Sequence, residues 1–278
     1  MLRPFVYLSL PVVLGAVFSN RMAIRLSDVD PVHWATTPLL ALSVWIVYTA
    51  DRLFDIRKGP LPNTARHRFH AANADLLWGL VGGLVAISAI LVFFLPGNVI
   101  RFGAGLGILC GLYVLGVSQL PEKHPVLVAK EPLVAIFFTA GIWGSVWVQR
   151  PLVGWPFKVQ ALLFLGIAFQ NLLLFSVYEQ REPNVQRNTV SLATIWGQRT
   201  CDLVLRWLTF LLVGGALAVC FFADDSGGGA RFSQRASLIL AIMSLTLYAI
   251  QRYPTYFQKY NRYRFFGDAV FWLPALVL

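Results

Sequence analysis

The run His33-Trp-Ala-Thr-Thr-Pro-Leu-Leu-Ala-Leu-Ser-Val-Trp-Ile-Val-Tyr-Thr-Ala50 ends directly in Asp51-Arg-Leu-Phe-Asp55. An apolar stretch of this length is a membrane-crossing helix, for which about 20 residues are needed. The acids that close it are four residues apart, so on a continuing helix Asp51 and Asp55 share one face. A second apolar run, Lys158 to Tyr178, ends in the same way, in Glu179-Gln-Arg-Glu182. Two membrane helices that each terminate in paired acids decide both the fold class and where chemistry is to be sought.

Composition outside these runs is of the same kind. Of 278 residues, 57% are hydrophobic and 13% charged, with a mean hydropathy of +0.65. Soluble domains carry roughly 25% charged residues, so an ordinary soluble fold is excluded. Nine candidate spans fall at about 4–20, 34–50, 75–95, 99–119, 131–149, 159–178, 203–222, 234–250 and 264–278. The chain is expected to be all-α, a single integral membrane domain over 1–278. The start resembles a signal peptide, with Arg3 before an apolar stretch. Pro11 interrupts that stretch, however, and a retained first span is expected.

A net charge of +10 would suit nucleic acid, but its distribution argues otherwise. With the N-terminus cytoplasmic, sixteen of the 23 Lys and Arg fall on inside segments and seven on the other side. That is the positive-inside bias, and it places both acidic segments at the cytoplasmic face. The basic charge therefore reports topology and contact with anionic membrane lipid, and no nucleic-acid partner is expected. Cys110, Cys201 and Cys220 are scattered and form no metal or disulfide framework.

Two long polar connections interrupt the pattern, Asp51–Ala74 and Glu179–Asp202, each of 24 residues. Their spacing suggests four-helix halves, 1–119 and 131–250, plus a last helix at 264–278. The first connection predicts a helix capped at Asn63 or Thr64, after the break at Pro60–Pro62. That helix would lift Arg66, His67 and Arg68 over the end of the second span. Gly79 and Gly83, and Gly103, Gly107 and Gly111, recur every four residues and predict close packing between helix backbones.

Acids beside bases at a membrane boundary suit a metal-bridged diphosphate, with carboxylates on Mg²⁺ and cations on phosphate oxygens. Asp51 and Asp55 repel one another when unpaired. A divalent ion turns that repulsion into coordination, although ion pairs with Arg52 and Arg57 would do part of the same work. On the sixth span Asn171, Phe175, Tyr178 and Glu182 form one stripe that ends at Pro183. Asn171 at membrane depth needs either another helix or a ligand as partner. Lys130 opens the fifth span from the same side and points either to lipid headgroups or into the site. Asp268 lies near the start of the last span, where a first-turn acid is favoured by the helix dipole.

Here the chain resembles the UbiA superfamily of membrane prenyltransferases. The family's first motif is Asn-x-x-x-Asp-x-x-x-Asp; Val47-Tyr-Thr-Ala-Asp51-Arg-Leu-Phe-Asp55 carries its two acids, with Val47 in place of the Asn. The second motif carries Asp residues at four-residue spacing, then a Thr-Leu-Ala-type segment and Gly. This chain has Glu179, Glu182 and then Thr189-Val-Ser-Leu-Ala-Thr-Ile-Trp-Gly197, with the acids substituted and closer together.

The resemblance implies nine spans and a catalytic, Mg²⁺-binding set of Asp51, Asp55, Glu179 and Glu182 bridging to a prenyl diphosphate. Arg66, Arg68 and Lys130 would meet the diphosphate, and Arg52, His67, Asn171 and Tyr178 complete the expected substrate-binding set. The implied reaction is transfer of a prenyl group to a hydrophobic or aromatic acceptor, in a bacterial inner membrane. The competing readings are a catalytically inactive isoprenoid-binding relative and a transporter. Acids gathered at one face disfavour the transporter, which needs polar or broken helices near mid-membrane.

Overall fold

The computed structural model describes residues 3–29, 33–57, 65–120, 124–181, 190–223 and 229–278. Among the described residues every regular element is helical. Among those residues six helices are long and apolar enough to cross a membrane, so the chain is a polytopic helical membrane protein.

After a short α1 (Arg3–Tyr7), α2 (Leu10–Leu26) leads to α3 (Thr36–Arg57). The helix of α3 runs unbroken through Asp51 and Asp55, as their spacing requires. Helix α4 (Ala65–Ala72) is the short helix expected over the basic cluster; its proposed caps Asn63 and Thr64 and the break at Pro60–Pro62 lie outside the described residues. An outlying hairpin follows, α5 (Ala74–Val92) and α6 (Gly97–Gln119). The next candidate crossing is made of α7 (Lys130–Thr139), a π-turn at Ala140–Gly144, and α8 (Ser145–Trp147). The π-turn frees the carbonyl of Ile142, which accepts a 2.7 Å bond from Asn20 Nδ2 on α2. Widened turns survive in a membrane when a neighbouring helix re-satisfies the backbone in this way.

Helix α9 (Trp155–Gln180) is the axis of the bundle, packed between α7, α10 (Leu192–Phe222) and α11 (Gly229–Arg252). Of its most apolar stretch 61% is buried, against 11% for α5 and for α6, so α9 is surrounded by protein while the hairpin presents most of its surface outward. Polar side chains tie the centre together. Gln170 Nε2 donates to Thr209 Oγ1 at 2.8 Å and Gln170 Oε1 accepts from Ser244 Oγ at 2.9 Å, while Gln160 Nε2 donates to Ser237 Oγ at 2.8 Å. Such bonds hold helices together where lipid removes the hydrophobic incentive to associate. The chain then turns through α12 (Pro254–Gln258) into α13 (Arg262–Ala269), and ends in a 3₁₀ segment, Val270–Val277, beside α2.

Two expectations need correction. The glycine rows do not bring helices together: a Cβ on Gly79, Gly83, Gly103, Gly107 or Gly111 would meet nothing within 4 Å. They sit on outward faces of the hairpin, and small residues permit close approach without compelling it. The second long connection is also shorter than its polarity suggests, because α10 begins at Leu192 and not near 203. Ser191 and Thr194 form a reciprocal capping box, with Ser191 N–H donating to Thr194 Oγ1 at 2.8 Å. Gly197, at φ 76°, then kinks the helix in a conformation that side-chain-bearing residues rarely adopt.

Candidate functional site

Six elements contribute side chains at the end of the bundle where α3 and α9 terminate and α7 begins. In the last turns of α3, Leu53 is buried against Trp45, Leu77 and Val81. Leu53 fixes the helix rotation and leaves Asp51, Arg52 and Asp55 half-buried on other faces. Lys130, also half-buried, opens α7. The carboxylates of Asp51, Asp55 and Glu179 all act on its ammonium, Asp51 most strongly, and the Tyr113 hydroxyl of α6 acts on it as well. Acids of both acid-terminated helices thus act on one lysine.

The other side of this cluster belongs to α13. Arg264 Nη2 donates to Glu179 Oε1 at 2.8 Å, and Arg264 Nε donates to Tyr263 Oη at 3.2 Å. Arg264 also acts electrostatically on Arg52, His67 and Asp268. Asp268 is therefore part of the cluster and not a first-turn dipole acid: α13 starts at Arg262, which puts Asp268 in its second turn beside Arg264 and Arg52. Tyr48, one turn before Arg52 on α3, feels Asp268, Arg52 and Asp51.

Helix α4 covers the cluster. His67 is half-buried, and its pKa is pushed down to about 4 by burial first, then by the charges of Arg52 and Arg264, with Glu179 opposing. His70 is buried and its pKa is also lowered to about 4, by burial and by Arg52. Its Nδ1–H donates to the Arg66 carbonyl at 2.9 Å, which closes a turn of α4. Both imidazoles are neutral at pH 7. The Arg66 side chain is half-buried and Arg68 is exposed.

Two residues of the expected set are engaged in packing. Tyr178 is fully buried, donates from Oη to the Ile250 carbonyl at 2.6 Å and stacks on Tyr263 at 4.6 Å between ring centroids. Asn171 lies against α13: a Cβ on Gly267 would come within 2.6 Å of Asn171 Oδ1 and 2.5 Å of the Phe175 ring. Glu182 and Pro183 lie outside the described residues.

Sequence reasoning missed Arg264, Asp268, Tyr48, Tyr113 and His70 as members of this cluster. The one signal available was the i,i+4 pairing of Arg264 with Asp268, which mirrors Asp51 and Asp55. Glu131 was also missed. Its Oε1 accepts the Leu192 N–H at 3.2 Å and so ties the start of α10 to the start of α7, next to Lys130.

Among the described residues no three His, Cys, Asp or Glu side chains gather as a metal-holding group. The donors that are present still fit one Mg²⁺. Asp51 and Asp55 offer hard oxygens on one helix face, and this ion commonly takes one or two carboxylates and completes its shell with water and phosphate. No protein-family model, curated protein or solved structure matches the chain.

Proposed function

We propose that the protein is a Mg²⁺-dependent membrane prenyltransferase of UbiA type, moving a prenyl group from a prenyl diphosphate to a hydrophobic or aromatic acceptor. The observation that carries the reading is that Asp51, Asp55 and Glu179, from the ends of two helices, all act electrostatically on Lys130 at one end of an apolar bundle. On this reading the chain crosses the membrane nine times. Helix α2, with 17 residues and roughly 26 Å of length, α3, and α13 with Val270–Val277 join the six most apolar helices. The N-terminus and the site are then cytoplasmic, in a bacterial inner membrane.

Bound Mg²⁺ would be held by Asp51 and Asp55, with Glu179 and Glu182 toward a second position, and would neutralise charge developing on the departing diphosphate. Lys130 and Arg52 hold the phosphate oxygens from the protein side, with Arg66 and Arg68 at the entrance. The prenyl chain runs into the apolar interior, where water is excluded and an allylic cation survives long enough for the acceptor to attack it. Aromatic faces near the cluster, including the Tyr113–Phe137 pair at 5.5 Å, are suited to stabilise that cation. The acceptor then loses a proton to restore its neutral form.

A catalytically inactive isoprenoid-binding protein is the second reading. It is favoured by Val47 where the family has Asn and by the engagement of Glu179 with Arg264. Farnesyl and geranylgeranyl diphosphate binding to the purified protein, measured with and without Mg²⁺ and followed for diphosphate release, separates the two. The enzyme reading expects Mg²⁺-dependent binding and release in the presence of acceptor. Binding without any release across native lipid extracts would favour the inactive relative. Mass spectrometry of lipids copurified from the native membrane is the direct route to the acceptor.

A further inference from the structure

We propose that a cavity beside the last turns of α2, at the end of the bundle away from the acidic cluster, binds the headgroup of an aminophospholipid, with Arg21 and Arg25 on its phosphate and Asp28 on its ammonium. The site is independent of the function proposed above. Helix α2 starts at the cluster end, where Leu10 and Val13 pack on the group that contains Trp45 and Leu53. Its last turns therefore lie at the opposite end. There a cavity of about 590 Å³ is lined by Val17, Phe18 and Ile24 together with Arg21, Arg25 and Asp28.

The lining changes character along the helix. Val17 precedes Arg25 by about 12 Å of helix rise. The deeper wall is apolar and the outer wall ionic, the order in which a phospholipid presents its chains and headgroup at a membrane boundary. A free anion has no use for the apolar part.

The charges of this lining lack partners within the protein. Arg21 and Arg25 are both exposed and four residues apart on one face, where like charges repel. Among the described residues no ion pair joins either arginine to Asp28, and Arg21 makes no hydrogen bond. Arg25 does more than snorkel to water. Its guanidinium lies 4.7 Å from the centre of the Phe232 ring, and its Nη1 donates to the Val277 carbonyl at 3.3 Å and to the Leu278 backbone oxygen. Those contacts hold Arg25 against the cavity wall and use Nη1 alone among its nitrogens. Asp28 stands just past the end of α2 at φ 49°. Arg150 Nη1 donates to its backbone carbonyl, which fixes the turn and leaves the carboxylate to the cavity. Two cations and one acid around one cavity complement a headgroup that carries both a phosphate and an ammonium, and arginine forks suit the phosphate.

The test uses the delipidated full chain in detergent, with phosphatidylethanolamine, phosphatidylglycerol and phosphatidylcholine of identical acyl chains as probes. Native mass spectrometry counts the lipid retained as each is titrated. Wild type should retain one phosphatidylethanolamine per chain at a concentration about tenfold below that needed for the other two, the scale of one charge-assisted contact. Arg21→Gln should raise that concentration about tenfold. Asp28→Asn, a residue tolerated at positive φ, should remove the preference among the three lipids. Arg101→Gln, at an exposed arginine of α6 outside the cavity, should change nothing. Thermal melting confirms that each variant is folded.

A wild type that retains the three lipids alike would overturn the proposal, as would a folded Arg21→Gln or Asp28→Asn indistinguishable from wild type. Displacement of the lipid by inorganic phosphate in excess would assign the cavity to a free anion and overturn it as well. None of these outcomes bears on Asp51 or on prenyl diphosphate.

Discussion

The ends of α3 and α9 carry the same kind of chemistry in opposite electrostatic settings. Asp51 and Asp55 lie on one helix face and act on Lys130, which sits on a different helix and answers several acids at once. Glu179 has a dedicated partner, Arg264, at hydrogen-bond distance, on an element packed tightly against its own helix. At the first end Lys130 answers Asp51, Asp55 and Glu179 together, and Arg52 is acted on by the same two aspartates. The second is already a closed ion pair. Similar patterns of apolar run plus acids thus yield a shared electrostatic group in one place and a dedicated ion pair in the other.

The largest expected difference follows from that contrast. Asp51→Asn or Asp55→Asn keeps size and removes a charge and a strong Mg²⁺ ligand, and should lower Mg²⁺-dependent prenyl diphosphate binding by about 100-fold or more. Glu179→Gln and Glu182→Gln should each cost only several-fold, because phosphate oxygens and water fill positions around an ion. Equal losses at the two ends, read by calorimetry, would break the comparison.

Gly267→Ala attacks the second end through packing alone. The added methyl group would meet Asn171 and Phe175 inside 3 Å, so those side chains must shift or α13 must move off α9. Overpacking of this kind costs about 1–3 kcal/mol, visible as a lower melting temperature, while the α3 end keeps its Mg²⁺. A melting temperature equal to wild type would mean that the α9–α13 contact is looser than described.

The smallest effect is a pH dependence of the cover over both ends. Folding lowers the pKa of His67 and of His70 from 6.5 to about 4. The unfolded state therefore binds more protons between those values, and stability rises with pH across that window. The contribution of the neutral imidazoles is fully present above about 6.5 and is lost as pH falls toward 4. Amide exchange in α4 should accelerate over that range in wild type and change less in His70→Asn. A flat wild-type profile would contradict the burial of these rings.

Much of this was legible because helical periodicity is a local property. The i,i+4 relation of Asp51 and Asp55, the continuation of α3 through them and a short helix over Arg66–Arg68 follow from neighbours in sequence alone. What periodicity cannot supply is the identity of the facing helix. Arg264 and Glu179 are 85 positions apart, and Glu131 reaches the Leu192 N–H across 61. Gln160 and Gln170 read as ordinary polar interruptions until α10 and α11 are laid against them. The glycine rows mislead for the same reason, since small residues allow close packing on whichever face finds a helix, and these faces find none. The early start of α10 was readable in principle from Ser191 and Thr194, but the polar residues after Gly197 mask the helix.

The central claim is that the acidic pair on α3 and a lysine-centred cluster shared with α9 make a prenyl-transfer site. Its most direct test is transfer of isotope-labelled prenyl groups to endogenous acceptors in native membranes, comparing wild type with Asp51→Asn over a range of Mg²⁺ concentrations. The account predicts a labelled lipid product in wild type that rises and saturates with Mg²⁺ and is absent from Asp51→Asn at every concentration. Equal product in the two would contradict it.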